Sequence, residues 1–204
     1  MVIKRIINKQ FNTNTYLIKT DENSSSVIVI DPGENCVETI IAIAGKDAEN
    51  VFILLSHEHF DHITGVNAIR EKFSNCILVA SEKCGERITD PKKNFSHYAN
   101  RPISCNPPEF IIKTPGQIEN FCGLPIQFYP WEGHSPGGML IKIEDSVLTG
   151  DQIIKDKKTI TNLPDCNRQK VEECVAFMRN NFAPETILMP GHGDSLRLKD
   201  LNIY

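Results

Sequence analysis

Strand hairpins interleaved with amphipathic helices predict an α/β (α+β) fold for this chain, with sheets covered by helices. Three observations carry that expectation. Apolar runs of about four or five residues, Val27-Ile28-Val29-Ile30 and Val51 to Leu55, have the length and composition of buried strands. Residues 36 to 45 and the stretch after Asn167 repeat their apolar side chains at helical spacing instead. A length of 204 residues suits one domain spanning 1–204, and an apolar fraction of 40% suits a packed core rather than a disordered chain.

In chain order, Val2 to Ile7, Thr15 to Thr20 and Val27 to Ile30 read as strands, with Asp21-Glu22-Asn23 turning the hairpin between the second and third. Asp31-Pro32-Gly33 ends the third strand. The helix over 36 to 45 places Val37, Ile40, Ile41 and Ala44 on one face. Val51 to Leu55 is a buried strand, Gly65 to Phe73 a helix, Ile77 to Ala80 a strand, and residues near 81 to 88 a short helix. The second half changes period: Glu109 to Lys113, Leu124 to Tyr129, Gly138 to Ile143 and Ser146 to Thr149 read as strands. Asn167 caps a helix carrying Val171, Cys174, Val175, Met178 and Phe182, and Thr186 to Met189 is the last strand.

Charge and composition exclude several functions. With 22 basic and 26 acidic residues the net charge is −4, without the basic excess of a nucleic-acid binder. No apolar run approaches a membrane span, and the N-terminus reads as a strand rather than a signal segment. Seven cysteines, an odd number with no C-x-x-C pair, predict free thiols and a cytoplasmic protein.

The chemistry concentrates at Ser56-His57-Glu58-His59-Phe60-Asp61-His62. A chain of this composition contains an H-x-H-x-D-H string by chance in roughly 3 cases of 10,000. The alternation of 57, 59 and 61 would aim three side chains the same way from an extended stretch, with His62 turned aside. Three imidazoles and a carboxylate in so short a span make a metal-binding arrangement. His134 lies in Gly133-His134-Ser135-Pro136-Gly137-Gly138, Asp151 in Leu148-Thr149-Gly150-Asp151, and His192 in Pro190-Gly191-His192-Gly193. Five of the six histidines therefore sit in strand-end loops, and only His97 is left over.

This set of motifs resembles the metallo-β-lactamase superfamily along essentially the whole chain, and within it the small glyoxalase II-like (hydroxyacylglutathione hydrolase-like) branch. The resemblance implies an αββα sandwich of two mixed sheets flanked by helices, with a metal site at one edge. It implies that His57, His59 and His134 hold one divalent ion and Asp61, His62 and His192 a second, with Asp151 bridging them. Asp31 matches an early Asp that supports the ligands from behind. Zinc is the first choice of metal, with iron and manganese as the others. Such a site implies a metal-dependent hydrolase that opens thioesters of the hydroxyacyl-glutathione type through a metal-bridging hydroxide, with Asp61 orienting it and accepting its proton. A thiolate leaving group, with a pKa near 8.5, needs little acid assistance.

Two departures bear on the glutathione moiety while leaving the ligands as they are. The larger enzymes of that branch carry a C-terminal helical substrate domain, whereas here twelve residues follow His192. A G-R-T-D-like stretch after the Gly-Asp turn is replaced by Asp156 to Asn162. The segment from Thr89 to Pro108, with Asn94, His97, Tyr98 and Arg101, is a candidate pocket wall. The alternative activity is that of a mononuclear iron persulfide dioxygenase; a lactonase, β-lactamase or phosphodiesterase, or a metal-binding scaffold without activity, ranks lower. A small-molecule thioester is the expected partner, with neither nucleic acid nor membrane, and the oligomeric state is left open.

Overall fold

The computed structural model describes residues 1–34 and 36–202. Its first half forms a six-stranded sheet of β1 (Val2–Ile7), β2 (Asn14–Lys19), β3 (Val27–Ile30), β4 (Val51–Leu54), β5 (Cys76–Ser81) and β6 (Phe110–Ile112), in that spatial order. The first three strands are antiparallel neighbours, and β3 through β6 run parallel. Parallel neighbours need crossovers, and α1 (Cys36–Ala44), α2 (Val66–Lys72) and α3 (Glu82–Arg87) lie in those between β3, β4, β5 and β6.

The second half forms the other sheet from β7 (Gln117–Phe121), β8 (Leu124–Pro130), β9 (Met139–Ile143), β10 (Ser146–Gly150), β11 (Ile187–Pro190) and β12 (Leu196–Arg197). All neighbours are antiparallel except β10 and β11, which are joined through α4 (Arg168–Asn181).

Alternation within the strands sets the layers. Val27 and Val29 face the helices of the first half with Ile40, Ile53 and Ile69, while Ile28 and Ile30 face the second sheet with Phe128, Ile141 and Leu148. Leu140 and Val147 point the other way, onto Cys174, Val175 and Met178 of α4. Three apolar clusters therefore separate four layers, giving the αββα sandwich. Each fully buried Leu, Ile or Phe contributes about 1.5–3 kcal/mol. Strands β3 and β10 are buried on both faces, which explains their near-continuous apolar runs.

The expected elements are all present, with ends that differ by one or two residues. Two strands were not anticipated: β7, a largely polar edge strand, and β12, a two-residue edge strand. All seven cysteines are unpaired. No helix among the described residues is long and apolar enough to cross a membrane.

The two sheets meet through backbone contacts at one end. Thr13 bridges His192, the Asn14 amide donates to the Gly191 carbonyl (2.6 Å), and the Met139 amide donates to the Ser56 carbonyl (2.8 Å). The loops carrying the histidines converge there.

Candidate metal centre

The string after β4 starts as an extended loop and then turns sooner than alternation suggests. A 3-10 turn covers Phe60–His62, so Asp61 is carried round with His62 instead of pointing alongside His57 and His59. Two groups of side chains result. Ring nitrogens of His57, His59 and His134 lie within 4.8 Å of one another, and the same holds for ligand atoms of Asp61, His62 and His192. All but Asp61 and His192 are buried.

Asp151, directly after β10, stands between the groups. Its Oδ2 is 3.8 Å from His134 Nε2 and 3.4 Å from His192 Nε2, and its Oδ1 is 3.5 Å from His62 Nε2. Glycines on either side make this approach possible. A Cβ on Gly191 would lie 2.3 Å from Asp151 Oδ1 and 2.6 Å from His62 Cε1, and Gly150 takes φ +51° with its Cβ position 2.4 Å from Ser56 Oγ.

Asp31 holds the array from behind. Its carboxylate accepts from the Ser56 amide (2.7 Å), from Ser56 Oγ (2.5 Å) and from His62 Nδ1 (3.1 Å). Because the serine proton is committed to Asp31, Ser56 Oγ accepts from His57 Nδ1 at 2.9 Å. His134 Nδ1 likewise donates to the Ile160 carbonyl at 3.0 Å. Assigned from these partners, the tautomers leave Nε2 of His57, His62 and His134 as open lone pairs. His59 contributes Nδ1, 3.0 Å from His134 Nε2.

Those lone pairs test whether metal fits. His57 Nε2, His62 Nε2 and Asp151 Oδ1 are buried with no hydrogen-bond partner in the protein, an arrangement that costs free energy unless a cation completes it. Burial, helped by neighbouring imidazoles, holds His57 and His59 well below the ordinary histidine range, and burial also lowers His134. All three are therefore neutral, as metal ligands must be. His62 differs. Burial opposes its charge, but Asp61, Asp151 and Asp31 together raise it to about 10, so the place between those carboxylates favours a positive charge. For Asp61 burial pulls upward, yet His62 and His192 outweigh it and keep the carboxyl ionised below its usual range. The residues fit bound divalent metal.

All eight residues singled out in the sequence meet at this end of the sandwich. Thr13 was not singled out: its hydroxyl donates to Asp61 Oδ2 at 3.0 Å across 48 residues. Gln152, whose Oε1 accepts from the His134 amide (2.9 Å), was not either. Glu58, between two histidines, is fully buried against Arg87 of α3, Nε to Oε1 2.7 Å, and accepts from Ser135 Oγ (3.1 Å). In the segment from Thr89 to Pro108, Asn94 is a buried brace bonding the Ile88 and Ile103 carbonyls, and Arg101 pairs with Glu34 at 2.6 Å. Tyr98 does wall a pocket, whereas exposed His97 does not line it.

A family model described as the metallo-beta-lactamase superfamily matches residues 8–193. A Streptococcus pyogenes protein named "Probable metallo-hydrolase" is 30% identical over 203 residues, covering 96% of this chain and 85% of its own length. The hydroxyacylglutathione hydrolase GloC of Haemophilus influenzae is 24% identical over 188 residues, 90% of this chain and 86% of its own. Among solved structures, the BLEG-1 B3 metallo-beta-lactamase superposes with a TM-score of 0.83 at 24% identity, covering 97% of this chain and 95% of that one.

Proposed function

This chain belongs to the metallo-beta-lactamase superfamily and is a metallo-hydrolase, and from that premise we propose that it hydrolyses small-molecule thioesters, those of the hydroxyacyl-glutathione type among them, using two divalent ions. The observation that carries this reading is the position of Asp151, one carboxylate facing His134 on one side and His62 and His192 on the other. His57, His59 and His134 would hold one ion and Asp61, His62 and His192 the second, with Asp151 shared and zinc the first choice. When bound, the ions would supply Lewis acidity toward a water and toward the thioester carbonyl.

The protein's own groups do the rest. Asp61, ionised and fixed by the Thr13 hydroxyl, orients the attacking water and accepts its proton. Asp31 and Ser56 keep the His57 and His62 rings from rotating, so the ligand lone pairs are aimed before any ion arrives. The phenol of Tyr16 is committed to the Pro190 carbonyl at 2.8 Å, and burial raises it to a range where it gives up no proton. That suits a thiolate, which leaves without protonation, better than an amine.

Protein purified without oxygen and without added metal is assayed for bound metal and for thioester turnover. Two equivalents per chain together with hydrolysis of S-lactoylglutathione or an acyl-N-acetylcysteamine support the reading. One equivalent of iron, with oxygen consumed on addition of glutathione persulfide, replaces it with the iron dioxygenase.

A further inference from the structure

A cavity of about 650 Å³ opens beside the metal-binding histidines, with the His59 imidazole at its inner end. Phe60, Phe95, Tyr98 and Ala99 line it together with Leu163 and Pro164, from the segment between β10 and α4. Among the described residues lining it, none but the imidazole is ionisable near neutral pH.

We infer that this cavity receives the acyl group of the thioester, and that the group it selects is apolar, an aryl ring or a medium-length alkyl chain. The inference rests on the thioester reading above and narrows it. Large apolar side chains are left open to water just where such a group would lie: Tyr98 is 69% exposed and Leu163 37%. Ile160, 48% exposed, belongs to the same segment as Leu163, and its carbonyl holds His134. Apolar surface gathered at a concave opening next to a reactive centre is the usual form of a ligand site.

The backbone is distorted to build this wall. Phe95 takes φ +66°, a left-handed conformation that a bulky residue adopts only when its surroundings impose it. Asn94 imposes it, accepting from the Ser96 amide at 3.0 Å while donating to the Ile88 and Ile103 carbonyls. The outcome is the Phe95 ring against the His59 ring, centroids 4.9 Å apart.

Charge points the same way. A glutathionyl group brings two carboxylates and an ammonium, which require partners of opposite sign. Arg87 and Arg101, two guanidinium groups of the neighbouring elements, are already committed: Arg87 to Glu58 (2.7 Å) and Asp165 (3.1 Å), Arg101 to Glu34 (2.6 Å), and the exposed Lys92, Lys93, Lys155, Lys157 and Lys158 stand outside the cavity lining. Space is ample, since a closed cavity of about 150 Å³ accommodates benzene. The polar thiol carrier then leaves through the open mouth into solvent.

The metal-loaded protein is tested with acetyl, octanoyl and benzoyl thioesters of one neutral thiol, N-acetylcysteamine, and with S-lactoylglutathione. In parallel, calorimetry measures binding of the acetyl and octanoyl ketone analogues, in which CH₂ replaces sulfur. The expected result is kcat/KM roughly tenfold or more higher for octanoyl and benzoyl than for acetyl, and roughly tenfold tighter binding of the longer ketone. Leu163→Asp, at an exposed position that folding tolerates, brings both ratios toward one, and Tyr98→Ser does so in part. Equal values for acetyl and octanoyl, or S-lactoylglutathione as the best substrate, overturn the inference while leaving the thioester reading intact. Ketones that are discriminated while no thioester turns over support the apolar cavity and overturn the thioester reading instead.

Discussion

In the proposed mechanism Asp61 is where ligation and proton transfer meet in one side chain. Replacing it with Asn keeps the shape and removes the acceptor, so kcat is expected to fall by about 100-fold or more. The variant should also retain less of one metal equivalent while its circular dichroism is unchanged; turnover near that of the parent would remove Asp61 from the mechanism. Gly191 makes a sharper demand, because any Cβ there lies 2.3 Å from Asp151 Oδ1. Gly191→Ala should displace Asp151 and lower kcat/KM by about 100-fold, as misplacement by an ångström commonly does. The residues that would hold metal were legible in the sequence because they come as a contiguous string and three glycine-flanked loops. Of their supports, Asp31 was singled out and the others were not. Thr13 reaches Asp61 only because β2 begins beside the His192 loop, and a threonine 48 residues upstream carries no local mark of that neighbourhood.

At the level of elements, α3 joins the site to its pocket through a single side chain. Arg87, in its last turn, pairs with Glu58 in the histidine loop, donates to the Lys93 carbonyl at 3.3 Å and reaches Asp165 beside Pro164. Only the first contact is fully buried on the acid's side, so it dominates; the exposed Asp165 adds little. Arg87→Ala leaves the Glu58 carboxylate buried without a counter-charge and is expected to cost about 3 kcal/mol, measured by urea unfolding. The double variant Arg87→Met, Glu58→Gln should recover most of that loss, and a double variant no more stable than the single one would show that packing, not charge, was lost. Apolar runs and helical periods located the other strands and all four helices. β7 escaped because only its last residue is buried, and β12 because two residues at an edge carry no period. The early turn at Phe60 escaped because alternation describes residues and not where the chain bends.

Across the whole molecule, seven side chains from distant parts of the chain share one small volume and leave His57 Nε2, His62 Nε2 and Asp151 Oδ1 buried without a hydrogen-bond partner, so metal should act as a structural component. A ligand present at 1,000 times its Kd adds about 4 kcal/mol to a folded state that alone binds it. Stripping metal with a chelator is therefore expected to lower Tm by about 10 °C, reversibly on adding zinc; an unchanged Tm with the ions demonstrably removed would mean that the cluster is held by the scaffold alone. The layered architecture was legible because each half has its own periodicity. How the halves lie against each other followed from the family resemblance and not from periodicity, which says that a strand face is apolar but not which sheet or helix covers it. Among the described residues no named strand pairs across the halves, the single Thr13 to His192 bridge aside: β1 to β6 end at Ile112, and β7 begins at Gln117. A chain cut between those residues would keep every strand ladder, and its two pieces would have only the inter-sheet packing and the backbone contacts at one end to bind them. His57, His59, Asp61 and His62 would lie on one piece and His134, Asp151 and His192 on the other. Such fragments would make this protein a metal-dependent complementation pair, its two parts brought together by the same ions that its chemistry uses.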